Sequence, residues 1–369
     1  MPQQFGRFWL HEKIGHGATT EIFRATVGPT PDDSAFDVAV KRIKREHREQ
    51  HRQVLRLERE ALAGQYLSHP NVVTTFESGR IENLPYLALE YVWGLDLERL
   101  SDLVRRRGSV IPVDLAVYMA LQCLRALDYI HRARDPDGRA LDLVHRDITP
   151  SNIFLSFDGA VKIGDLGVAE GRNLPRMNEP GFVEGKLGYL SPEVLAGDPG
   201  RPRDDVFSLA VTLYEIVGGG PLTTWVNETD IQLGMAPAAI PPLYEVNPDV
   251  DRELSRIIGR AVGPQPSRRP REAADLYQQL KQYLQRQGFG IGAEAMAHFV
   301  RAMTGTTGAS GAGHDAADSF FTDRGYVSPE GRTLTQRIML VHRQRRRGLP
   351  IAIGVATAVG LVALALALF

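Results

Sequence analysis

The run His145-Arg146-Asp147-Ile148-Thr149-Pro150-Ser151-Asn152 places a carboxylate and a carboxamide five positions apart on what reads as a loop. Thirteen residues after Asn152, Asp165-Leu166-Gly167 adds a second carboxylate, delivered by the strand Val161-Lys162-Ile163. Phosphoryl transfer to a hydroxyl needs a carboxylate that orients the alcohol and accepts its proton, with metal ligands close by. Asp147 fits the first role, and Asn152 and Asp165 fit the second. Upstream, Val38-Ala39-Val40-Lys41 ends an apolar strand on an ammonium. Such a lysine is usually only a strand end. Beside a phosphate cradle it becomes a ligand of the α- and β-phosphates, with Glu60 on the next helix as the fixed partner its charge needs. The candidate cradle is Gly15-His16-Gly17-Ala18-Thr19-Thr20-Glu21-Ile22. It lies between two predicted strands, which argues against a dinucleotide fold and against a P-loop, since both lead into a helix. Two glycines at this spacing let a hairpin backbone approach phosphates closely.

These residues must be held by elements, and the pattern supplies them. Strand periodicity covers Phe8–Ile14, Glu21–Thr26 and Phe36–Arg42, with a Pro/Asp/Gly turn at Val27–Ser34 and a helix at His51–Leu67. From Leu95 onward helices dominate, at Pro112–His131, Asp204–Val217, Arg252–Ala261 and Ala273–Gln287. A small strand-rich part followed by a larger helical part predicts an α+β, two-lobed domain. Its expected limits are 8–287. The chain has 369 residues, 43% hydrophobic and 24% charged, so a large core is expected. The net charge of -1 gives no reason to expect nucleic acid. Glu46, Glu49, Glu58 and Glu60 interleave with the basic run from Lys41 to Arg59, which reads as a solvated helix face. The single cysteine, Cys123, lies in the apolar run Leu121–Leu127 and reads as a core thiol, so no disulfide framework is expected.

Residues 288–348 read as a flexible juxtamembrane linker, containing a short apolar helix candidate at Ala293–Met303 and a Gly/Ser/Thr/Ala stretch at Thr304–Gly313. Leu349–Phe369 is 21 residues without a charge, long enough as a helix to span the ~30 Å of a bilayer core. Arg343, Arg345, Arg346 and Arg347 precede it and place that side in the cytoplasm. The expectation is one C-terminal transmembrane helix in the cell membrane, a single pass with the catalytic part cytoplasmic. Neither a signal peptide nor an ectodomain is expected. Gly354…Ala358 and Ala356…Gly360 are small-xxx-small pairs that leave a homodimer through the span open.

In this order and spacing the motifs resemble the eukaryotic-type protein kinase superfamily, from about Phe8 to Gln287. The insert Arg132–Leu143 resembles the membrane-anchored serine/threonine kinases of bacteria. The resemblance implies that Ser191-Pro192-Glu193 ends the activation segment, that Asp205 braces the catalytic loop and that Arg269 partners Glu193. Leu89-Glu90-Tyr91-Val92 looks like the gatekeeper and hinge, whose backbone would bind adenine, with Asp96 placed for the ribose. The implied nucleotide site runs from Ile14 through Gly15, His16, Gly17, Ala18, Thr19, Thr20 and Glu21 to Ile22. It is completed by Ala39, Lys41, Leu89, Glu90, Val92 and Asp96. ATP with Mg2+ or Mn2+ is the implied cofactor pair, and proteins carrying serine or threonine hydroxyls the implied substrates.

Three departures stand out. Thr20 replaces the third glycine of the family's phosphate loop. Thr149 stands where serine/threonine members usually carry a catalytic-loop lysine. Lys186 follows Gly185 where they usually carry a threonine. Because these two sites face each other in the family, Lys186 and Thr149 are expected to have exchanged roles beside Asp147. No Ser, Thr or Tyr lies between Asp165 and Tyr189, so the usual loop phosphate has no acceptor there. Glu179 or Glu184 is the expected substitute charge for Arg146. The alternative reading is a pseudokinase acting as a membrane-tethered scaffold, and a small-molecule kinase is a weaker one. The complete set Lys41, Glu60, Asp147, Asn152 and Asp165 favours an active enzyme.

Overall fold

Alternating apolar residues in the first 90 positions fold as six antiparallel strands: β1 (Gln3–Phe5), β2 (Phe8–His16), β3 (Thr20–Val27), β4 (Asp37–Ile43), β5 (Thr75–Ile81) and β6 (Leu84–Glu90). They form one sheet in the order β1-β2-β3-β4-β6-β5. Phe8, Leu10, Val27, Val38, Val40 and Phe76 share a buried cluster against it. The computed structural model describes residues 1–306 other than 18, 32–35, 173, 175–184 and 222–239, and the side chain of His16 is likewise outside that description.

Helix α1 (His51–Gly64) packs on this sheet through Val54 and Leu57, beside Ile43 and Leu87. It stops three residues before the predicted end. The backbone N–H groups of Tyr66 and Leu67 bond three residues back, to Ala63 and Gly64, so the last turn tightens out of α geometry.

The second lobe begins after Tyr91–Trp93. A small antiparallel sheet, in the order β7-β8-β9, is built from β7 (Gly94–Asp96), β8 (Ile153–Ser156) and β9 (Val161–Ile163). A side chain at position 94 could not fit there, because its Cβ would lie 2.0 Å from the Leu155 carbonyl oxygen. Helices α2 (Leu97–Arg106) and α3 (Val113–His131) pack on this sheet, and after the short α4 (Pro192–Leu195) helix α5 (Pro202–Gly218) packs on α3. Further along come α6 (Leu243–Val246), α7 (Arg252–Ala261), α8 (Ala273–Gln287) and α9 (Ala293–Thr304). Helices α3 and α5 are apolar on most faces and are buried accordingly. Cys123 is fully buried in α3, and burial pushes its thiol up to about 12. The sequence reading did not delimit β1, β5, β6, β7, β8, α2, α4 or α6.

The expected linker needs a correction at its start. Residues 293–304 are helix α9, and Met296 and Val300 belong to the main core of the helical lobe. Apolar side chains at i, i+1 and i+4 give the segment one face to bury, so it docks on the domain. Among the described residues no helix is long and apolar enough to cross a membrane. The rest of the linker, the arginine flank, the run 349–369 and its small-residue pairs lie outside the described residues.

Candidate active site

Strand register decides which side chains of the upper sheet face the cleft. Ile22 pairs with Lys41 across β3 and β4, and Ala39 pairs with Leu89 across β4 and β6. Directly opposed residues share a face, and so do residues two apart. Ile22, Ala39, Lys41 and Leu89 therefore lie on one face. Glu21 lies on the other, where its carboxylate pairs with Arg42 at 2.9 Å and Lys13 at 3.1 Å. Its place among the nucleotide residues is thus corrected, because a one-residue step along a strand reverses the face. The Glu90 side chain is buried and pairs with Lys162 at 2.9 Å, so the hinge role expected of this residue falls to its backbone, as the resemblance implies.

The phosphate-loop candidate is a hairpin between β2 and β3, and β2 carries register irregularities near Lys13 and Gly15. The Gly17 N–H donates to the Thr20 carbonyl at 2.9 Å. Thr19 ties the tip back: its hydroxyl donates to Gln53 of α1 at 3.0 Å and its carbonyl accepts from Lys44. Ala18 and the His16 side chain lie outside the described residues. Ile14 accepts a hydrogen bond through its carbonyl from Arg99 of α2, which links the two lobes. Asp96 caps α2 by accepting from the Arg99 N–H and also pairs with the Arg99 guanidinium at 3.2 Å. Both oxygens expected to reach a ribose are thus engaged by Arg99. Val92 falls in the connection between β6 and β7, half-buried like Tyr91 before it and followed by the exposed Trp93.

Lys41 joins the lobes at the centre. Its ammonium donates to Glu60 at 2.7 Å and pairs with Asp165 at 3.1 Å. Burial opposes its charge, but the two carboxylates outweigh burial and raise its pKa. Burial raises Glu60, and Lys41 offsets this only in part. Burial alone would also raise Asp165. The Lys41 ammonium and the Gly167 N–H outweigh it and hold this carboxyl below the usual range. Asp165 sits in the left-handed region at φ 62°, as does Arg146 at φ 67°. Such φ values are uncommon outside glycine and mark a backbone held by its surroundings.

Asp147 and Asn152 meet as the spacing suggested. The Asn152 amide donates to the Asp147 carbonyl at 2.9 Å and to its Oδ2 at 2.8 Å. With both bonds made by its nitrogen, the Asn152 Oδ1 is left as an acceptor. The Oδ1 of Asp147 is buried and has no hydrogen-bond partner among the described residues. Burial and the Asp165 carboxylate push Asp147 up, with His145 and Asn152 working against them. Asp205 holds the loop from beneath. Its Oδ2 accepts from His131 at 2.7 Å and the His145 N–H at 2.8 Å, and its Oδ1 accepts from the Arg146 N–H at 2.7 Å. Arg269 pairs with Glu193 at 2.9 Å and stacks over Phe207.

Thr149 and Lys186 meet only through a third residue. The Thr149 hydroxyl is buried and bonds to the Ser151 hydroxyl at 3.0 Å, and the Lys186 ammonium donates to the same Ser151 at 3.1 Å. Lys186 also pairs with Glu98 at 3.2 Å. Among the described residues it does not bond Asp147, so the expected direct reach to that carboxylate is corrected: through Ser151 the ammonium meets Thr149, and Asp147 is bonded by Asn152 instead.

Glu170, Lys162, Ser151 and Glu98 are site residues the sequence reading missed. Arg146 pairs with Glu170; Glu179 and Glu184, the substitutes expected from the sequence, lie outside the described residues. The signal for Lys162 was available, since a lysine amid an apolar strand requires a buried anion. Glu170 offered no signal, being one acidic residue in an irregular segment.

Among the described residues no three acidic, histidine or cysteine side chains converge. Asn152 and Asp165 still fit a hard cation that keeps oxygens from phosphate and water, the mode typical of Mg2+.

The protein kinase domain model matches residues 8–285. The Tyrosine-protein kinase MasK of Myxococcus xanthus is 29% identical over 81% of this chain and 46% of its own length. A probable serine/threonine-protein kinase of Clostridium acetobutylicum is 30% identical over 74% of this chain and 39% of its own. The serine/threonine-protein kinase PrkC of Bacillus subtilis is 27% identical over 75% of this chain and 40% of its own. This chain thus spans less than half the length of these curated relatives. The crystal structure of the PknI kinase domain of Mycobacterium tuberculosis superposes with a TM-score of 0.55 at 22% identity, covering 76% of this chain and 98% of that one, which supports the two-lobed fold. With the domain model spanning both lobes, the chain belongs to the eukaryotic-type protein kinase family found in bacteria.

Proposed function

We propose that this chain is an ATP- and Mg2+-dependent protein serine/threonine kinase, tethered to the cell membrane by residues 349–369 with its catalytic domain in the cytoplasm. The observation that carries the catalytic reading is the buried, unpartnered Oδ1 of Asp147 beside a closed Lys41–Glu60–Asp165 cluster. A buried acceptor left open costs about 1–3 kcal/mol, and a substrate hydroxyl would satisfy it. ATP with its cation supplies the phosphoryl group and the screening of its charge. The chain supplies position. Lys41, fixed by two carboxylates, presents N–H groups toward the α- and β-phosphates. Asn152 and Asp165 would hold the cation. Asp147 orients the hydroxyl and takes its proton. The hairpin at Gly15–Thr20 covers the phosphates, and the backbone of Glu90 and Val92 takes the purine.

Serine/threonine choice is supported by a catalytic loop without the Ala/Arg-rich sequence of tyrosine kinases, and by relatives with serine/threonine in their names. The relative named as a tyrosine kinase makes tyrosine the competing acceptor. A scaffold without turnover is less favoured, because Lys41, Glu60, Asp147, Asn152 and Asp165 are all present in one site. Transfer of label from ATP to matched Ser, Thr and Tyr peptides, with Asp147→Asn and Asp165→Ala as controls, tests the reading. Absence of transfer above these controls would sink it. The tether rests on the length and composition of 349–369 and its arginine flank, and pairing through its small residues would make a homodimer. Removal of 349–369 should release the protein from membranes with peptide activity intact.

A further inference from the structure

Helix α9 begins after the last residue of the family match, yet it is wired to the hinge of the nucleotide site. Three contacts fix it. At its start, Ala293 lies on the turn between β8 and β9. Gly159 in that turn has φ +89°, and a Cβ there would come within 1.8 Å of the Ala293 carbonyl oxygen. Along its length, Met296 and Val300 enter the core. At its end, the Arg107 guanidinium from the end of α2 donates to the Ala302 and Met303 carbonyls at 3.1 and 3.0 Å. That arginine supplies both partners and a favourable charge for a helix C-terminus.

The fourth contact leaves the helix. The Arg301 Nε–H donates to the Phe157 carbonyl at 2.6 Å. The Phe157 N–H in turn donates to the Trp93 carbonyl at 2.9 Å. Trp93 directly follows Val92, and the peptide after it opens β7, which leads to Asp96 and α2. Only the φ and ψ of Val92 and Trp93 separate the 93–94 peptide from the Val92 N–H, so holding that peptide narrows the conformations open to the hinge backbone.

We propose that α9, acting through Arg301 and Phe157, is a positioning element for nucleotide: it holds the Trp93 peptide so that the hinge backbone is set to receive the purine. Arg301 is a positioning residue and touches no reacting group. The inference rests on the kinase reading given above and adds that a segment beyond the catalytic match sets affinity for ATP.

The test is ATP binding by the full chain, followed with a fluorescent ATP analogue, together with steady-state kinetics and amide hydrogen exchange at residues 92–96. Arg301→Ala should raise Kd and KM for ATP about tenfold, a factor equal to ~1.4 kcal/mol, while kcat stays within about twofold. Exchange at 92–96 should quicken without nucleotide. Arg301→Lys, which can still donate to Phe157, should restore most of the affinity. Arg107→Ala should shift Kd the same way and less, and it keeps the test open if Arg301→Ala misfolds. Unchanged Kd in Arg301→Ala and Arg107→Ala overturns the inference while leaving the kinase reading intact. Equal losses of kcat and affinity, unrescued by Arg301→Lys, also overturn it by showing general damage. A wild-type chain that binds no nucleotide sinks the kinase reading, and the inference with it.

Discussion

Arg146 and Glu170 form a side-chain ion pair, and Val144, two residues before Arg146, exchanges two backbone hydrogen bonds with Glu170 in an isolated antiparallel bridge. The guanidinium next to Asp147 is therefore neutralised by the segment that follows Asp165-Leu166-Gly167. That segment has no hydroxyl between Asp165 and Tyr189 to carry a phosphate.

The first prediction concerns this pair. Phosphatase treatment should leave the initial rate unchanged. Glu170→Gln should lower stability by roughly 1–3 kcal/mol and reduce activity, since it leaves a half-buried guanidinium without its anion. Peptide assays before and after treatment check the first part and urea melts the second. A rate abolished by phosphatase would contradict it.

The second prediction concerns Asp147. Asp147→Asn keeps the shape of the side chain and replaces a proton acceptor with an amide. The rate should fall by about 10²–10⁴ with ATP affinity nearly unchanged. Lys41→Met should instead lower both, by losing a fixed donor to the phosphates. Single-turnover label transfer alongside nucleotide titration separates the two. Equal loss of binding in both variants would reject the assignment.

The third concerns Asp205. Three donors converge on its carboxylate, and Asn there would turn an amide toward at least one of them. Asp205→Asn should cost about 3–5 kcal/mol at neutral pH. Burial would raise the Asp205 carboxyl, but His131 and the backbone donors outweigh it and hold it below its ordinary value. A depressed folded value gives stability that is complete above the unfolded value near 4 and is lost as pH falls through the folded one. The gap between wild type and variant should therefore be constant from about pH 7 to 5 and shrink only below about pH 4. Urea melts across that range check it, and a gap that closes near neutrality would refute it.

The fourth concerns the Thr149–Ser151–Lys186 chain. If Lys186 supplies positive charge for transfer through this chain, Lys186→Ala should lower kcat by about 10²-fold with a smaller change in the KM for ATP. Ser151→Ala should give part of that loss, and the double variant less than the sum, because the residues are coupled. Thr149→Lys should destabilise, since position 149 is buried. A Lys186→Ala enzyme with near-normal kcat would remove Lys186 from the reaction.

The motifs were legible because each combines short-range spacing with a residue type that has few other uses. Asp147, Asn152 and Asp165 lie within twenty positions of one another, and one loop and one strand bring them together. The helices α3, α5, α7 and α8 were legible from long apolar periodicity. What sequence could not show was pairing across distance. Nothing near Glu21 reveals that strand register sets it opposite Arg42 on the far face, and nothing near Lys186 reveals Glu98, 88 residues earlier. Short elements such as β1 carry too few residues for a period. Helix α9 was visible as an apolar stretch, but its docking depended on Gly159 and Arg107 elsewhere in the chain.

The burial of Cys123 has a practical consequence. It is the only thiol in the chain, shut inside α3 and shifted far from ionisation at neutral pH. A thiol-reactive dye can reach it only when the helical lobe opens, and only the thiolate reacts. Labelling under native conditions thus becomes a clock for lobe opening, read at one atom without engineering a probe. Run with and without nucleotide, the same clock reports whether ligand binding in the cleft tightens the core some distance below it.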